Sequence, residues 1–534
     1  MNVAATAVAL AQPNQQLRAL ADSGVLSDLR WPNFTRLQPD VATFYESSSY
    51  QFAWVRAGEA TPQALAMIHT LESAALKGLD AEDYDGSRWN DRLSQVRTDA
   101  GAIRFDLALT VSAMRYISDV SSGKVNPEVF SFGLRFDQKK CDLPATLREL
   151  TNARDVTTDL DRLEPPFEGY WRTKKALAEY MKLAREDDRE VLPATKKPVE
   201  PSDQYPGAQR LERLLRLLGD LRPDDTLLEA LKRFQIRHGI EPDGCIGKAT
   251  LKELNTPLSQ RVRQLQLVLE RWRWVPHSFP RPPIVVNIPE FRLRAYDDQY
   301  RPELEMKVVV GKAYLHKTPV FSGSMTHLIF RPYWDVPFSI QRAELVPKIA
   351  KDPAYLAEND YEIVNSKRQV VSSSSVRADL LAQLRSGKLF IRQVPGDKNA
   401  LGLVKFLFPN QYNVYLHSTP AKSLFLKSRR DFSHGCIRVE KPEELALWVL
   451  RGMPGWNIDH IQAAENGADS IQVNLDKPIP VLIVYGTAVV VGGEVFFFDD
   501  IYGHDAALEQ LLDHGYPYSG WQPTSAVRGQ HPHG

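Results

Sequence analysis

The pattern of hydrophobic positions changes along the chain, from helical spacing in the first 190 residues to strand-like alternation after residue 284. In the stretch TPQALAMIHTLESAALKGLD, Thr61 is placed as an N-cap, Pro62 as the first helical residue and Gly78 as a stop. The same amphipathic helical pattern recurs in DLALTVSAMRYISDVSSGKVNP and YWRTKKALAEYMKLAREDD. Neither stretch contains a nucleotide, metal or paired-acid motif. This part of the chain therefore predicts a helical scaffold.

A second helical pattern follows a proline-rich segment. The run LPATKKPVEPSDQYPG, residues 192–207, is typical of an extended linker. After it, AQRLERLLRLLGD and TLLEALKRFQIRHGI place leucines at helical spacing, and EPDGCIGKATLKELN adds a turn at Asp243 and Gly244 with a short third helix. The pattern predicts a small module of three helices.

From residue 284 onward, β-branched and aromatic runs alternate with turn residues. The runs are PIVVNIPEFRLRAY, LEMKVVVG, HLIFRPYWDVP, YNVYLHS, PVLIVYGTAVVV and EVFFFDDIYG, and they predict a β-rich domain. We expect PVLIVYGTAVVV to form a buried strand. Residues 340–400 interrupt the strands with helical stretches, and a connection of this length is typical of a cap over a site.

Composition limits the classes of protein to consider. A chain of 534 residues is too long for a single core, and equal numbers of basic and acidic residues, 66 of each, leave no overall positive charge to bind nucleic acid. No apolar run reaches the length of about 18 residues that a membrane helix needs. The start, MNVAATAVALAQP, fits either a shortened secretory signal or a disordered tail.

Candidate chemistry lies in the stretch DFSHGCIRVE. Cys436 is one of three cysteines, and none of them forms a CxxC motif or a zinc-like spacing. In YNVYLHS, strand alternation places Tyr415 and His417 on one face, and His417 lies nineteen residues before Cys436. Gly435 permits a tight turn in front of the thiol. A thiol, an imidazole and converging N–H groups are what acyl transfer requires, and Arg438 adds a fixed positive charge that can lower the pKa of the thiol.

Two longer stretches resemble known families. The run ALKRFQIRHGIEPDGCIGKATLKELN resembles peptidoglycan-binding domains, and HSTPAKSLFLKSRRDFSHGCIR resembles the signature of YkuD-type L,D-transpeptidase catalytic domains. The order of modules resembles the large YcbB-like members. The resemblance implies a multidomain α+β protein with a helical scaffold, a small three-helix peptidoglycan-binding domain and a mainly-β, sandwich-like catalytic domain with a helical capping insertion.

The domain boundaries follow from these patterns. We predict a signal remnant or tail over 1–30, a scaffold over 31–192, a linker over 193–206, a peptidoglycan-binding domain over 207–258, a connecting helix over 259–283, a catalytic domain over 284–505 with its cap at about 340–400, and a C-terminal helix and tail over 506–534.

The resemblance also assigns roles to the candidate residues. It implies that Cys436 is the nucleophile, His417 its base, and Ser418 the residue whose backbone carbonyl orients the imidazole. The backbone N–H groups of Gly435 and Cys436 are then the oxyanion donors, and we count Gly435 with the catalytic set. The residues expected to bind substrate are Arg438, His434, Ser433 and Tyr415.

The activity implied by the resemblance is peptidoglycan transpeptidation without a cofactor or metal. The family forms 3→3 cross-links between stem peptides through a cysteine thioester, and carbapenems acylate the same cysteine. Water as acceptor gives an L,D-carboxypeptidase, and another amine gives an anchoring acyltransferase. The implied location is the periplasm, on the wall side of the inner membrane. The implied partners are stem peptides, glycan and other wall-synthesis enzymes, with no nucleic acid and no integral membrane span.

Three other readings of the motif compete with this one. A papain-like protease normally carries its cysteine before its histidine, whereas here His417 precedes Cys436. A metal site from His417, His434 and Cys436 requires two ligands separated by a single residue, which is an unfavourable spacing for a tetrahedral ion. A wall-binding protein without activity has no need of the intact histidine, cysteine and arginine set.

Overall fold

The chain forms two compact units, seen in a computed structural model that describes residues 13–134, 141–314, 316–374 and 376–515. One unit contains the chain up to residue 278 together with the segment from 486 onward, and the other is Phe279–Tyr485. We call them the helical unit and the strand unit. The predicted end of the catalytic domain at residue 505 therefore differs from the structure, in which the strand unit ends at residue 485.

The helical unit is built from amphipathic helices around one buried helix. Its long central helix, α5, is buried along most of its length, and polar side chains such as Asp106, Arg115 and Asp119 are buried together with its apolar ones. The elements are α1 (Pro13–Ser23), α2 (Gln38–Glu46), β1 (Val55–Arg56), β2 (Glu59–Ala60), α3 (Pro62–Glu72), α4 (Trp89–Gln95), α5 (Asp99–Ser122), α6 (Leu143–Leu150), α7 (Val156–Asp161), α8 (Glu168–Glu186), α9 (Ala208–Leu217), α10 (Leu227–Arg237), α11 (Lys248–Leu254) and α12 (Leu258–Arg273).

The beginning of α3 confirms the predicted cap. The Thr61 hydroxyl accepts a hydrogen bond from the N–H of Ala64 at 3.1 Å, and Pro62 is the first helical residue. The α-helix ends at Glu72, and a single 3-10 turn continues the chain to Gly78, which has a left-handed φ of +73°. The stop signal was therefore correct, although the last turn before it is tighter than an α-helix.

One boundary prediction for this unit was wrong, whereas the predicted linker is present but packs into a core. Residues 13–23 form a helix with Leu17 and Ala21 fully buried, so a tail over 1–30 does not describe them; residues 1–12 lie outside the described residues. The linker 193–206 contains no helix, yet Val199 and Tyr205 are buried in the same core as the leucines of α9 and α10. Apolar side chains within a proline-rich segment explain this, because their burial is favourable even where no regular element can form.

The strand unit consists mainly of β-strands. Its elements are β3 (Ile284–Asn287), β4 (Arg292–Tyr296), β5 (Pro302–Gly311), β6 (Phe321–Phe330), β7 (Trp334–Asp335), α13 (Phe338–Ile340), α14 (Val346–Lys351), α15 (Tyr355–Glu358), β8 (Tyr361–Val364), β9 (Val370–Ser372), α16 (Ala378–Ser386), β10 (Phe390–Gln393), β11 (Val404–Leu407), β12 (Leu416–His417), β13 (Asp431–Ser433), β14 (Ile437–Val439), α17 (Pro442–Val449), α18 (Ile458–Asn466) and β15 (Ile471–Val484).

The main sheet of the strand unit closes on itself. Its strand order is β13-β5-β14-β12-β11-β6-β15-β3-β4, and β4 also pairs with β5, which completes a ring. The expected sandwich-like arrangement was therefore wrong, because a ring has no two separate facing sheets. The strand order also places β5 between β13 and β14, two strands that lie far from it in the sequence.

The insertion between β6 and β11 is a mixed α/β subdomain. Strands β7, β10, β8 and β9 form its sheet, and α13 to α16 pack with that sheet around their own buried cluster. A π-type turn at Gln341–Leu345 joins α13 to α14. The prediction of an insertion at 340–400 agrees with these bounds, but the prediction that it is helical was wrong, because short strands between the helices form a second sheet. We call this subdomain the cap.

The chain returns to the helical unit after residue 485. The stretch PVLIVYGTAVVV does not form the single strand we expected, since β15 ends at Val484 and β16 (Ala488–Val491) pairs instead with β17 (Glu494–Phe497). This hairpin packs with α8 and α12 in one apolar cluster, and α19 (His504–Asp513) follows. The predicted C-terminal helix is confirmed over these residues, and 516–534 lie outside the described part of the chain.

We predict that Arg237→Ala strongly destabilises the helical unit. Arg237 forms a buried bidentate ion pair with Asp220 and donates to the carbonyl of Val495 at 2.7 Å. Its removal leaves a buried carboxylate without its cation, which typically costs about 3 to 5 kcal/mol. Arg222→Ala is the control, because Arg222 pairs with Glu494 at an exposed position, where such pairs contribute about 1 kcal/mol or less. Equal losses in urea unfolding would contradict the prediction.

Candidate active site

The segment that carries Cys436 is a three-residue connection between β13 and β14. These two strands pair with opposite sides of β5. The Ser433 hydroxyl accepts from the N–H of Gly435 at 3.1 Å and donates to the carbonyl of Cys436 at 2.5 Å. Thr318 donates from its hydroxyl to the carbonyl of Gly435 at 2.7 Å. Gly435 has a φ of +114°, which favours glycine. Side-chain hydrogen bonds therefore hold the loop in one conformation.

This arrangement differs from one prediction for Gly435. Its N–H donates to Ser433 and so is not free to bind an oxyanion. The N–H of Cys436 donates no hydrogen bond to another group in the described part of the chain. In this conformation the backbone therefore offers one donor beside the thiol, where we expected two.

His417 lies at the end of β12, and its ring contacts the backbone of Ser418 and of Leu401. Its Nδ1 is 2.5 Å from the backbone carbonyl oxygen of Ser418. A carbonyl can only accept, so Nδ1 carries the proton and Nε2 is left as the basic nitrogen. The predicted contact to Ser418 through its backbone is thus present. The predicted strand is shorter than expected, since Asn413 has a left-handed φ of +54° and β12 contains only Leu416 and His417.

Strand register places the reactive groups on one face. The parallel strands β12 and β14 pair Leu416 with Ile437 and His417 with Arg438, and the N–H of Ile437 donates to the carbonyl of Tyr415 at 3.1 Å. Cys436 therefore lies beside Tyr415, and the Tyr415 and His417 rings are 5.7 Å apart. Directly paired residues share a face of a sheet, as do residues two apart on a strand. The structure thus brings together Cys436, Tyr415, His417 and Arg438.

Two cations border this face. Lys405 on β11 is paired with His417 in the antiparallel register, and its Nζ lies 3.9 Å from the centre of the Tyr415 ring. Arg438 has a buried Nε without a hydrogen-bond partner. Within the described residues, no carboxylate is among the charged groups that act on the pKa of either cation. This face is therefore positively charged.

Burial and these charges determine the protonation states. Burial, assisted by the charge of Arg438, lowers the pKa of His417 to about 3, so its ring is neutral at pH 7. Burial also raises the pKa of the Cys436 thiol, whereas hydrogen bonds from Tyr415 and the charges of Lys405 and Arg438 oppose this rise. The resting site therefore contains a neutral thiol and a neutral imidazole. This combination suits a histidine that accepts the thiol proton during the reaction.

The cap contacts the loop that carries the thiol. His434 places its Nε2 2.6 Å from a carboxylate oxygen of Glu344 in the π-type turn of the cap, and its ring is 4.7 Å from that of His316. His434 and His417 thus have different partners. Within the described residues no three histidine, cysteine or acidic side chains are placed to hold a metal ion.

The other two cysteines lie in different surroundings. Cys245 contacts Glu200 at 3.1 Å, and this hydrogen bond raises the pKa of its thiol to about 11. Cys141 lies 3.3 Å from the Thr146 hydroxyl, and burial raises the pKa of its thiol. The positive charges of Lys405 and Arg438 act on the pKa of Cys436, whereas the charges that act on Cys141 and Cys245 are those of acidic residues.

Sequence reasoning missed three residues of the site: Lys405, Glu344 and Thr318. Lys405 interrupts the apolar run GLVKFLF, and a lone lysine in such a run is a usable signal. Glu344 reaches the site through the fold of the cap, and Thr318 through a loop more than a hundred residues before Cys436 in the sequence. No local pattern indicates either of these two contacts.

Comparison with known proteins agrees with the motifs. Residues 39–177 match the family model described as a scaffold domain, and residues 281–481 match that of the YkuD L,D-transpeptidase catalytic domain. A Haemophilus influenzae protein named "Putative L,D-transpeptidase" is 32% identical over 225 residues, which cover 42% of this chain and 45% of that relative. The chain thus matches less than half the length of this relative. The resemblance to L,D-transpeptidases is confirmed.

Proposed function

Because residues 281–481 are an L,D-transpeptidase catalytic domain, we propose that this protein forms 3→3 cross-links between peptidoglycan stem peptides. The observation that carries the proposal is the common face of Cys436, His417 and Arg438 on neighbouring strands. A half-buried thiol near a neutral imidazole can attack a peptide carbonyl. The unpaired guanidinium can bind a carboxylate of the same substrate.

In the first step, Cys436 attacks the carbonyl of diaminopimelate in a donor tetrapeptide stem. His417 takes the thiol proton on Nε2 as the sulfur–carbon bond forms, and the N–H of Cys436 donates to the developing oxyanion. Collapse of this intermediate breaks the peptide bond, and His417 returns the proton to the departing D-alanine amine. The product is a thioester on Cys436.

In the second step, an amine of a neighbouring stem attacks the thioester. His417 accepts a proton from this amine, the new amide forms and the Cys436 sulfur leaves and is protonated again. Arg438 holds a substrate carboxylate, while Ser433 and Ser418 keep the loop and the imidazole in place. Burial raises the pKa of Tyr415 well above its usual value, so its hydroxyl stays protonated and can donate to the sulfur or the substrate.

The acceptor distinguishes the alternatives at the same site. Water resolves the thioester to an L,D-carboxypeptidase product, and a different amine makes the enzyme an anchoring acyltransferase. Carbapenems, whose strained amide resembles the scissile bond, are expected to acylate Cys436. The substrate implies action in the periplasm. None of the helices in the described part of the chain is long and apolar enough to cross a bilayer.

We further propose that α9 to α11 bind peptidoglycan. The support is the order of landmarks in ALKRFQIRHGIEPDGCIGKATLKELN together with the three helices that this stretch and the preceding leucines form around one core. A wall-binding protein without activity is the competing function, and binding to isolated sacculi alone does not separate the two.

Intact-mass spectrometry with a purified disaccharide-tetrapeptide separates these functions. We expect a donor-sized adduct on the protein that lacks the mass of D-alanine, together with 3→3 dimers in solution. An adduct with tripeptide as the main product indicates hydrolysis. Binding to sacculi without any adduct supports the competing wall-binding function and contradicts our proposal.

A further inference from the structure

Lys405 lies on the reactive face although it belongs to a strand outside the catalytic motif. It is on β11, between β6 and β12, and it faces His417 in the antiparallel register. Its ammonium lies 3.9 Å from the centre of the Tyr415 ring, and that ring belongs to the residue beside Cys436. This contact with the ring holds the ammonium charge near the thiol. The side of the ammonium that the ring does not cover is available to an anion.

The ammonium has no carboxylate partner in the described part of the chain. Lysines in partly buried positions are usually paired, because removing a charge from water is unfavourable. Burial accordingly lowers the pKa of Lys405, and Cys436 is the group that opposes this effect. The ionisable groups around it are Tyr415, His417, His327 and Cys436. Of these, the thiol is the group that becomes an anion during the reaction, when it loses its proton, whereas burial keeps Tyr415 protonated.

We propose that Lys405 is a positioning residue that stabilises negative charge on the Cys436 sulfur. This inference rests on the proposed function only in taking Cys436 as the nucleophile. When the thiol loses its proton to His417 or to solvent, the sulfur becomes an anion near two cations, Arg438 on β14 and Lys405 across β12. The same charge favours departure of the sulfur when the thioester breaks.

The test measures the rate of Cys436 alkylation by iodoacetamide against pH, with the modified peptide identified by mass spectrometry. The proteins are the full chain, Lys405→Met and Lys405→Arg, with Lys367→Met as control because Lys367 is exposed in the cap. We expect Lys405→Met to shift the midpoint upward by about one pH unit and to lower the rate at neutral pH by about tenfold. Lys405→Arg should keep most of the rate, and Lys367→Met should match the full chain.

An unchanged midpoint in Lys405→Met would overturn the inference. Thermal unfolding of each variant accompanies the measurement. If Lys405→Met does not fold, Lys405→Gln and Lys405→Arg are compared instead, because both are long and polar and differ in charge; equal midpoints in this pair overturn the inference. Alkylation needs no peptidoglycan, so failure of the cross-linking assay and failure of this proposal are separate results.

Discussion

Replacing Cys436 with alanine is expected to abolish both the donor adduct and the 3→3 product while leaving the fold intact. The thioester requires the sulfur, and loss of a covalent nucleophile typically lowers kcat/KM by about 10⁴-fold or more. The hydrogen bonds that hold the loop involve the Ser433 side chain and the backbone of residues 435 and 436, so alanine preserves them. Intact-mass spectrometry and product analysis provide the measurement.

The matched controls are Cys141→Ala and Cys245→Ala. Both cysteines belong to the helical unit, and their thiols contact Thr146 and Glu200. We expect both variants to form adduct and product at the rate of the full chain. Product formation by Cys436→Ala would contradict the mechanism, whereas an inactive Cys245→Ala would indicate a second essential thiol.

Replacing His417 with glutamine is expected to lower the rate of acylation by about 10² to 10⁴-fold, the usual contribution of a positioned general base. Glutamine retains much of the volume of the buried ring but cannot take the thiol proton. The variant should regain rate as the pH rises, by about tenfold per pH unit below the thiol pKa, because solvent then removes the proton. Single-turnover adduct formation across a pH series gives both quantities.

The control for this variant is His460→Gln. His460 is an exposed histidine on α18, and its ring forms a hydrogen bond with the nearby Asn457 side chain. It should keep the rate of the full chain. Because burial lowers the pKa of His417 to about 3, the free enzyme should show no loss of this base between pH 8 and pH 5. A His417 ring that titrates near pH 6.5 by NMR contradicts the assignment of a buried, neutral imidazole.

Much of the active site was predictable because its signals are local. Cys436, Gly435 and Ser433 lie within four residues, and the alternation of YNVYLHS already placed Tyr415 and His417 on one side. The contact from His417 to the carbonyl of Ser418 involves adjacent residues. The Gly435 prediction failed for a local reason as well, because the nearby Ser433 hydroxyl takes up its N–H.

The sequence by itself determined the start of α3, the strand-rich character after residue 284 and the catalytic motif, because caps, periodicity and motif spacing depend on neighbours along the chain. Tertiary structure alone decided the closed ring, the mixed cap and the return of residues 486–515 to the helical unit. It also decided the place of Lys405. Strand pairing and burial join residues far apart in sequence, and their free energy depends on contacts that no local pattern records.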